Sequence, residues 1–259
     1  MSFSVAVKHL ALSILPEPIL QRLRKTHYAK KLNTAPEEPE MSVIPHLVPL
    51  GGTALDLGAN FGLYTQFLAR VVGPNGRVYA LEPVPTTFDV LSENVRRIGL
   101  DNVQVHPFAV SDEEGTVTMA VPTYARGGEN FYEARIIRDA SLTTDRIVEV
   151  ATRRLDDLFG VLGRIDFVKC DVEAHELAAL RGATNILRVH RPSWLIEVSG
   201  NPDDADSSAA AVMDLMKRSG YRPFQLDELQ GETETDQKRS CNYFFLRPEH
   251  VRRLNLGES

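Results

Sequence analysis

Asp171-Val172-Glu173-Ala174-His175-Glu176 gathers three carboxylates and an imidazole in one short stretch. Such groups accept protons or bind cations, and histidine titrates closest to neutral pH. A second stretch, Asp56-Leu57-Gly58-Ala59-Asn60-Phe61-Gly62, sets two glycines around a turn, and Glu82 follows the next apolar run. Glycine admits a close backbone approach to a ligand, and an acid at that second place accepts hydrogen bonds from ribose hydroxyls. Glu197 ends a further apolar run, Trp194-Leu195-Ile196. Together these residues offer a nucleoside site beside groups able to move a proton. Asp171 and His175 share a face if their turn is already helical. His175 is the first candidate for a general base, with Asp171 as base or acceptor-orienting group and Glu197 beside it. His106 ranks below His175, because it falls where adenine is expected. Asp171 and Glu197 would also suit a hard divalent ion. The plainer reading is that they cap helices or bind substrate hydroxyls, so a metal is possible but not assigned.

The elements that must carry these residues follow from periodicity. Thr53 to Leu57 is a short apolar strand. From Leu63 the apolar residues Leu63, Phe67, Leu68, Val71 and Val72 recur at helical spacing, and Gly73-Pro74-Asn75-Gly76 ends that helix. Arg77–Leu81 is the next strand, Phe88–Ile98 a helix closed by Gly99, and Val103–His106 a third strand. Thr116–Val121 and Ile165–Cys170 read as strands, Ala174–Leu187 as a helix, Trp194–Ile196 as a strand and Ala209–Arg218 as a helix. Tyr221–Gln225 and Tyr243–Leu246 form a C-terminal hairpin whose last strand can join the sheet antiparallel. Alternation of this kind implies α/β architecture, a mostly parallel sheet with helices on both faces. Its ligand lies beyond the carboxyl ends of the strands.

The glycine spacing discriminates between cofactors. A dinucleotide fingerprint needs G-x-G-x-x-G, but from Gly58 the later positions hold Asn60 and Leu63. The glycine that permits close helix packing beneath a pyrophosphate is missing. A nucleoside without phosphates fits better, and S-adenosyl-L-methionine is the leading candidate: its amino-acid part over Gly58–Gly62, its ribose on Glu82. The plainer alternative keeps the glycines for turn geometry alone.

Composition sets the limits. Of 259 residues, 43% are apolar and 25% charged, ordinary for a globular chain with a full core. The net charge of −6 argues against nucleic acid as partner. Cys170 and Cys241 lie in apolar, strand-like segments and read as buried thiols of a cytoplasmic protein. No apolar run reaches membrane-spanning length, and no signal peptide is expected. Residues 1–31 carry Lys8, Arg22, Arg24, Lys25, Lys30 and Lys31 against Glu17 alone. Pro16-Glu17-Pro18 divides this segment into two helices, the second with Ile19, Leu20 and Leu23 on one face. Either it packs on the domain as a solvated helix, or it makes weak peripheral contact with an anionic membrane or a partner. Glu37-Glu38-Pro39-Glu40 reads as a linker. The expected division is therefore a helical segment and linker over 1–40 and a catalytic domain over 41–259. Residues 122–147, with Tyr124, Arg126, Gly127-Gly128, Asn130, Tyr132 and Arg135, break the rhythm as an acceptor-side insertion.

Seven motifs follow one another along the chain: Asp56-Leu57-Gly58-Ala59-Asn60-Phe61-Gly62-Leu63-Tyr64-Thr65, Ala80-Leu81-Glu82-Pro83, Phe108-Ala109-Val110-Ser111-Asp112, Arg154-Leu155-Asp156-Asp157-Leu158, Phe167 to Glu176, Leu180-Arg181-Gly182-Ala183 and Asn242-Tyr243-Phe244-Phe245. In this order they resemble the FkbM family of S-adenosylmethionine-dependent methyltransferases. The resemblance implies a seven-stranded class I (Rossmann-like) methyltransferase fold and O-methylation of a sugar, glycan, polyketide or other small acceptor. It implies nucleoside-site roles for Asp56, Gly58, Asn60, Gly62 and Glu82, with Ala109 and Val110 near adenine. One position departs: Ala174 stands where the family usually has glycine. Two other readings remain, an NAD(P)-dependent oxidoreductase and a non-catalytic cofactor-binding interaction protein. Neither acceptor identity nor oligomeric state is legible.

Overall fold

The structure, a computed structural model, describes residues 16–122, 134–137, 143–231 and 240–254. Among them a seven-stranded sheet runs in the order β10-β11-β9-β8-β1-β2-β3. Its strands are β1 (Thr53–Leu57), β2 (Arg77–Leu81), β3 (Val103–His106), β8 (Phe167–Cys170), β9 (Ser193–Glu197), β10 (Arg222–Phe224) and β11 (Asn242–Leu246). Only β11 is antiparallel to its neighbours, β9 and β10. The expected sheet and its hairpin strand are both present. The order reverses at β1, so the crevice opens beside the β1 tip.

Side-chain alternation assigns the two faces. Leu55, Leu57, Val168, Trp194 and Ile196 enter one apolar core, while Ala54, Phe167, Leu195 and Phe244 enter the other. The first core is covered by α5 (Leu155–Phe159), α6 (Glu176–Arg181) and α7 (Ser208–Arg218). Residues of α2 (Ile44–Leu47), α3 (Leu63–Val72), α8 (Leu226–Gln230) and α9 (Pro248–Arg253) pack into the second. Asp56 and Lys169 share the second face and are register partners across β1 and β8.

Four features differ from expectation. First, β4 (Ala109–Val110), β5 (Gly115–Val121), β6 (Arg135–Ile137) and β7 (Arg146–Arg153) form a second sheet, in the order β4-β7-β5-β6. Part of the expected insertion is thus strand; Arg135 lies in β6, whereas Tyr124, Arg126, Gly127, Gly128, Asn130 and Tyr132 lie outside the described residues. Second, the expected Ala174–Leu187 helix is broken. α6 ends before Gly182, where a Cβ would meet the Ser111 carbonyl oxygen at 2.0 Å. Asp156 then receives the backbone N–H groups of Asn185 and Ile186, opening the next turns. Third, residues 37–40 are no free linker: Pro39–Ser42 is a 3-10 turn, and buried Glu40 accepts a hydrogen bond from the Asn242 side chain at 2.9 Å. Fourth, Cys170 is buried as expected, but Cys241 is exposed, because β11 begins one residue after it.

α1 (Glu17–Thr34) packs on α4 (Pro85–Ile98), and its Leu32 joins Phe61 and Val90 in a small core. The domain-packed arrangement holds for this helix, although Ile19 and Leu23 stay exposed. The preceding expected helix lies outside the described residues. Among the described residues no helix is long and apolar enough to cross a membrane.

Candidate active site

The β1 tip makes the glycine loop. Gly58 has φ 75° and Gly62 φ 102°, backbone that favours glycine. The N–H groups of Gly58 and Ala59 both bond the Leu81 carbonyl, tying the loop to β2. A Cβ on Gly58 would meet the Asp171 carbonyl oxygen at 1.8 Å, so the loop and the β8 tip touch through bare backbone. Gly62 has a packing role: its Cβ would press on Leu91 at 2.9 Å.

A cavity of about 230 Å³ lies against this loop. Eight of the expected site residues line it: Gly58, Asn60, Glu82, Ala109, Val110, Asp171, His175 and Glu197. Pro83, Val84 and Phe108 supply apolar wall at the Glu82 end, and Met119 and Ile136 of the second sheet extend it, with Ala134 just before β6. Asp56 and Gly62 are not among its lining. Nor is His106, whose ring instead packs with those of Tyr79 and Phe159.

Asp56 lines a second cavity, of about 140 Å³, that shares Gly58, Asn60, Asp171 and Glu197 with the first. Its Oδ2 accepts from the Thr65 hydroxyl at 2.6 Å, while its fully buried Oδ1 has no hydrogen-bond partner. Burial pushes the Asp56 carboxyl up, and nearby Lys169 opposes that shift. An orphaned acceptor of this kind suits a cationic ligand group. Sequence reasoning missed three further residues of this wall. Glu38 accepts from the Tyr64 hydroxyl at 2.7 Å, and the Lys169 ammonium lies 5.0 Å from the Tyr64 ring.

Glu82 is buried. Its two oxygens accept from the Asn60 and Val84 N–H groups at 2.9 and 3.0 Å. Burial nevertheless pushes its pKa up to about 7. Lys169 pairs with Asp171 at 2.8 Å; burial works against its charge, but Asp171 and Asp56 outweigh that and raise it. Burial, then the Asp171 carboxylate, raise Glu197, which also accepts a hydrogen bond from the Cys241 thiol.

His175 precedes α6 rather than sitting within it, so Asp171 and His175 do not share a helix face. Glu173 and Ala174 intervene with φ of 50° and 68°. Ala174 therefore adopts the left-handed backbone that glycine would take without strain. Relieving that strain outweighs glycine's greater unfolded-state entropy. Ala174→Gly should stabilise the fold by about 0.5–1 kcal/mol, read as a raised melting temperature. A lowered one would mean that the alanine methyl packs usefully. His175 Nε2 lies 3.2 Å from Ser111 Oγ, and the Ser111 hydroxyl donates to Asp112 at 3.2 Å. Burial lowers the His175 pKa, so its ring is neutral at pH 7.

A Methyltransferase FkbM domain profile matches residues 56–223. AMB antimetabolite synthetase AmbE of Pseudomonas aeruginosa is 30% identical over 207 residues, 68% of this chain and 10% of AmbE. Hexuronic acid methyltransferase AglP of Haloferax volcanii is 29% identical over 135 residues, 51% of this chain and 50% of AglP. A solved methyltransferase FkbM from Methylobacillus flagellatus aligns with TM-score 0.48 and 19% identity, over 75% of this chain and 43% of that one. The chain thus spans half or less of each of these proteins. The matched profile begins at Asp56 on the glycine strand and takes in the whole Asp171–Glu176 cluster, and the chain belongs to the FkbM family of S-adenosylmethionine-dependent methyltransferases.

Proposed function

We propose that the chain methylates a hydroxyl on a sugar, glycan, polyketide or similar small acceptor. The observation that carries this reading is the convergence of Glu82, Asp171, His175 and Glu197 on one cavity. Glu82 holds the ribose, and Pro83, Val84, Phe108 and Ala109 enclose the adenine. Asp56 Oδ1, with Glu38 and Asp171 near it, receives the ammonium of the amino-acid end. When bound, S-adenosylmethionine supplies a methyl group already activated on a sulfonium. Little chemistry remains for the protein beyond aligning the acceptor and taking its proton.

His175 takes that proton. The Ser111 proton is directed to Asp112, so Ser111 Oγ accepts from Nε2–H and Nδ1 keeps the free lone pair. Asp171 and Glu197 accept hydrogen bonds from acceptor hydroxyls, as paired carboxylates suit a polyol. The likeness to AglP, a hexuronic acid methyltransferase, favours a sugar among the acceptors.

The test is mass spectrometry for one added methyl across hydroxylated acceptors, with and without magnesium. Wild type should methylate at least one hydroxyl. His175→Gln should lower kcat by about 10²–10⁴-fold with S-adenosylhomocysteine affinity unchanged. Methyl gain confined to amines, or full turnover in the variant, would overturn the assignment.

A further inference from the structure

A third cavity, of about 490 Å³, lies away from the cofactor crevice, and its lining holds Arg181, Arg188, Arg191, Arg218 and Arg247 but no carboxylate. Its location follows from the topology. Arg191 comes just before β9, Ser219 just before β10, and Arg247 just after the antiparallel β11. All three therefore sit at the sheet edge opposite the strand tips that carry the site. Leu187 and Leu215 give the cavity an apolar base.

Charge pairing does not explain the cluster. Arg218 pairs with Asp214 and Arg247 with Glu249. Among the described residues Arg181, Arg188 and Arg191 have no carboxylate partner; Arg188 bonds the Asn185 side chain and Arg191 the Arg188 carbonyl. Three uncompensated guanidinium groups thus face one concavity on a chain whose net charge is −6. Arg191 adds a cost of its own: it sits at φ 52°, a backbone position where glycine would be unstrained. The residue closes the Ile186–His190 turn, its N–H bonded to the Ile186 carbonyl, at a left-handed cap that glycine or asparagine usually fills.

We infer that this cavity binds clustered phosphate charge of the diphosphate type. The planar forks of arginine match phosphate oxygens two at a time, and several forks around one concavity suit adjacent phosphates better than a lone one. The charge has two sources, a free diphosphate-bearing molecule or the headgroups of an anionic lipid surface. The site is independent of the methyl-transfer reading.

The experiment uses the full chain. Inorganic pyrophosphate is titrated calorimetrically, and co-sedimentation is followed with phosphatidylcholine vesicles with and without phosphatidic acid. Wild type should bind pyrophosphate with an affinity that falls as salt rises. Arg191→Gly should weaken binding about tenfold while melting no lower than wild type, because the strained residue becomes glycine. The Arg181→Gln/Arg188→Gln double variant should weaken it further. Capture by phosphatidic acid vesicles without pyrophosphate binding, lost in the same variants, assigns the lipid source. Binding to neither probe, or equal binding by wild type and all variants, overturns the site.

Discussion

Gly58→Ala should abolish cofactor binding and lower the melting temperature, and it should do so far more than Gly51→Ala. Both glycines have nearly the same left-handed backbone, φ 75° and 78°. An alanine at either costs about 1–2 kcal/mol for that conformation alone. The space around them differs. Nothing lies within 4 Å of a Cβ on Gly51, whereas a Cβ on Gly58 would sit 1.8 Å from the Asp171 carbonyl oxygen. No rotamer relieves a clash between Cβ and backbone, so the loop and the β8 tip must part. That movement breaks the Asp171 N–H bond to Leu57 and disturbs the Lys169–Asp171 pair. It also shifts the shared wall of both cavities. Each 1.4 kcal/mol of lost contact is tenfold in affinity. Calorimetry with S-adenosylhomocysteine should therefore show a loss of at least about 10²-fold for Gly58→Ala and near-wild-type affinity for Gly51→Ala. Equal losses in the two variants would assign the effect to backbone strain and remove the contact from the argument.

How much of this was readable depended on sequence distance. Each strand of the large sheet is an apolar run bounded by turn residues, and β1, β2, β8 and β9 fall within two residues of their expected places. Gly58, Glu82, Asp171 and Glu197 follow directly, because strand tips in such sheets point at the ligand. The second sheet was less legible. β7 reads Arg-Ile-Val-Glu-Val-Ala-Thr-Arg, half-exposed, and β6 is only three residues long. Glu38 carried no local signal at all. Its role comes from a contact 26 residues away, and that of Glu40 from one 202 residues away. The His175 geometry was missed for a different reason: Ala174 has a helix-forming side chain but a left-handed backbone, and its N–H bonds the Glu176 carboxylate and the Ser199 hydroxyl instead of opening a helix. The five arginines suffer the same blindness. Spread from 181 to 247, each reads alone as a solvated surface residue, and only the fold brings them to one cavity.

The affinity for S-adenosylhomocysteine should rise steeply with pH up to about 7 and then level off, and Glu82→Gln should flatten the profile. Burial holds the Glu82 pKa at about 7 in the free protein, against 4.5 for an ordinary glutamate. Below 7 the folded chain keeps a proton on this carboxyl that the unfolded chain has already released. The free protein therefore loses stability as pH rises from 4.5 to 7, by about 3 kcal/mol in total. Binding reverses the preference. With both oxygens already taking a backbone N–H, only the ionised form has acceptor capacity left for two ribose hydroxyls. Ligand must therefore displace the proton, and affinity falls about tenfold for each pH unit below 7, reaching about 100-fold at pH 5. Glutamine offers one acceptor oxygen at every pH, so its affinity is low throughout and its slope is lost. The same variant removes the opposing trend in stability, and its melting temperature should change less between pH 5 and 8 than that of wild type. Calorimetric titrations of the two proteins across that range separate the outcomes. A flat wild-type profile would mean that Glu82 is already ionised at pH 5 and that its two backbone donors outweigh burial. Parallel slopes in the two proteins would move the titration to another group, with His175 the next in the cavity to examine.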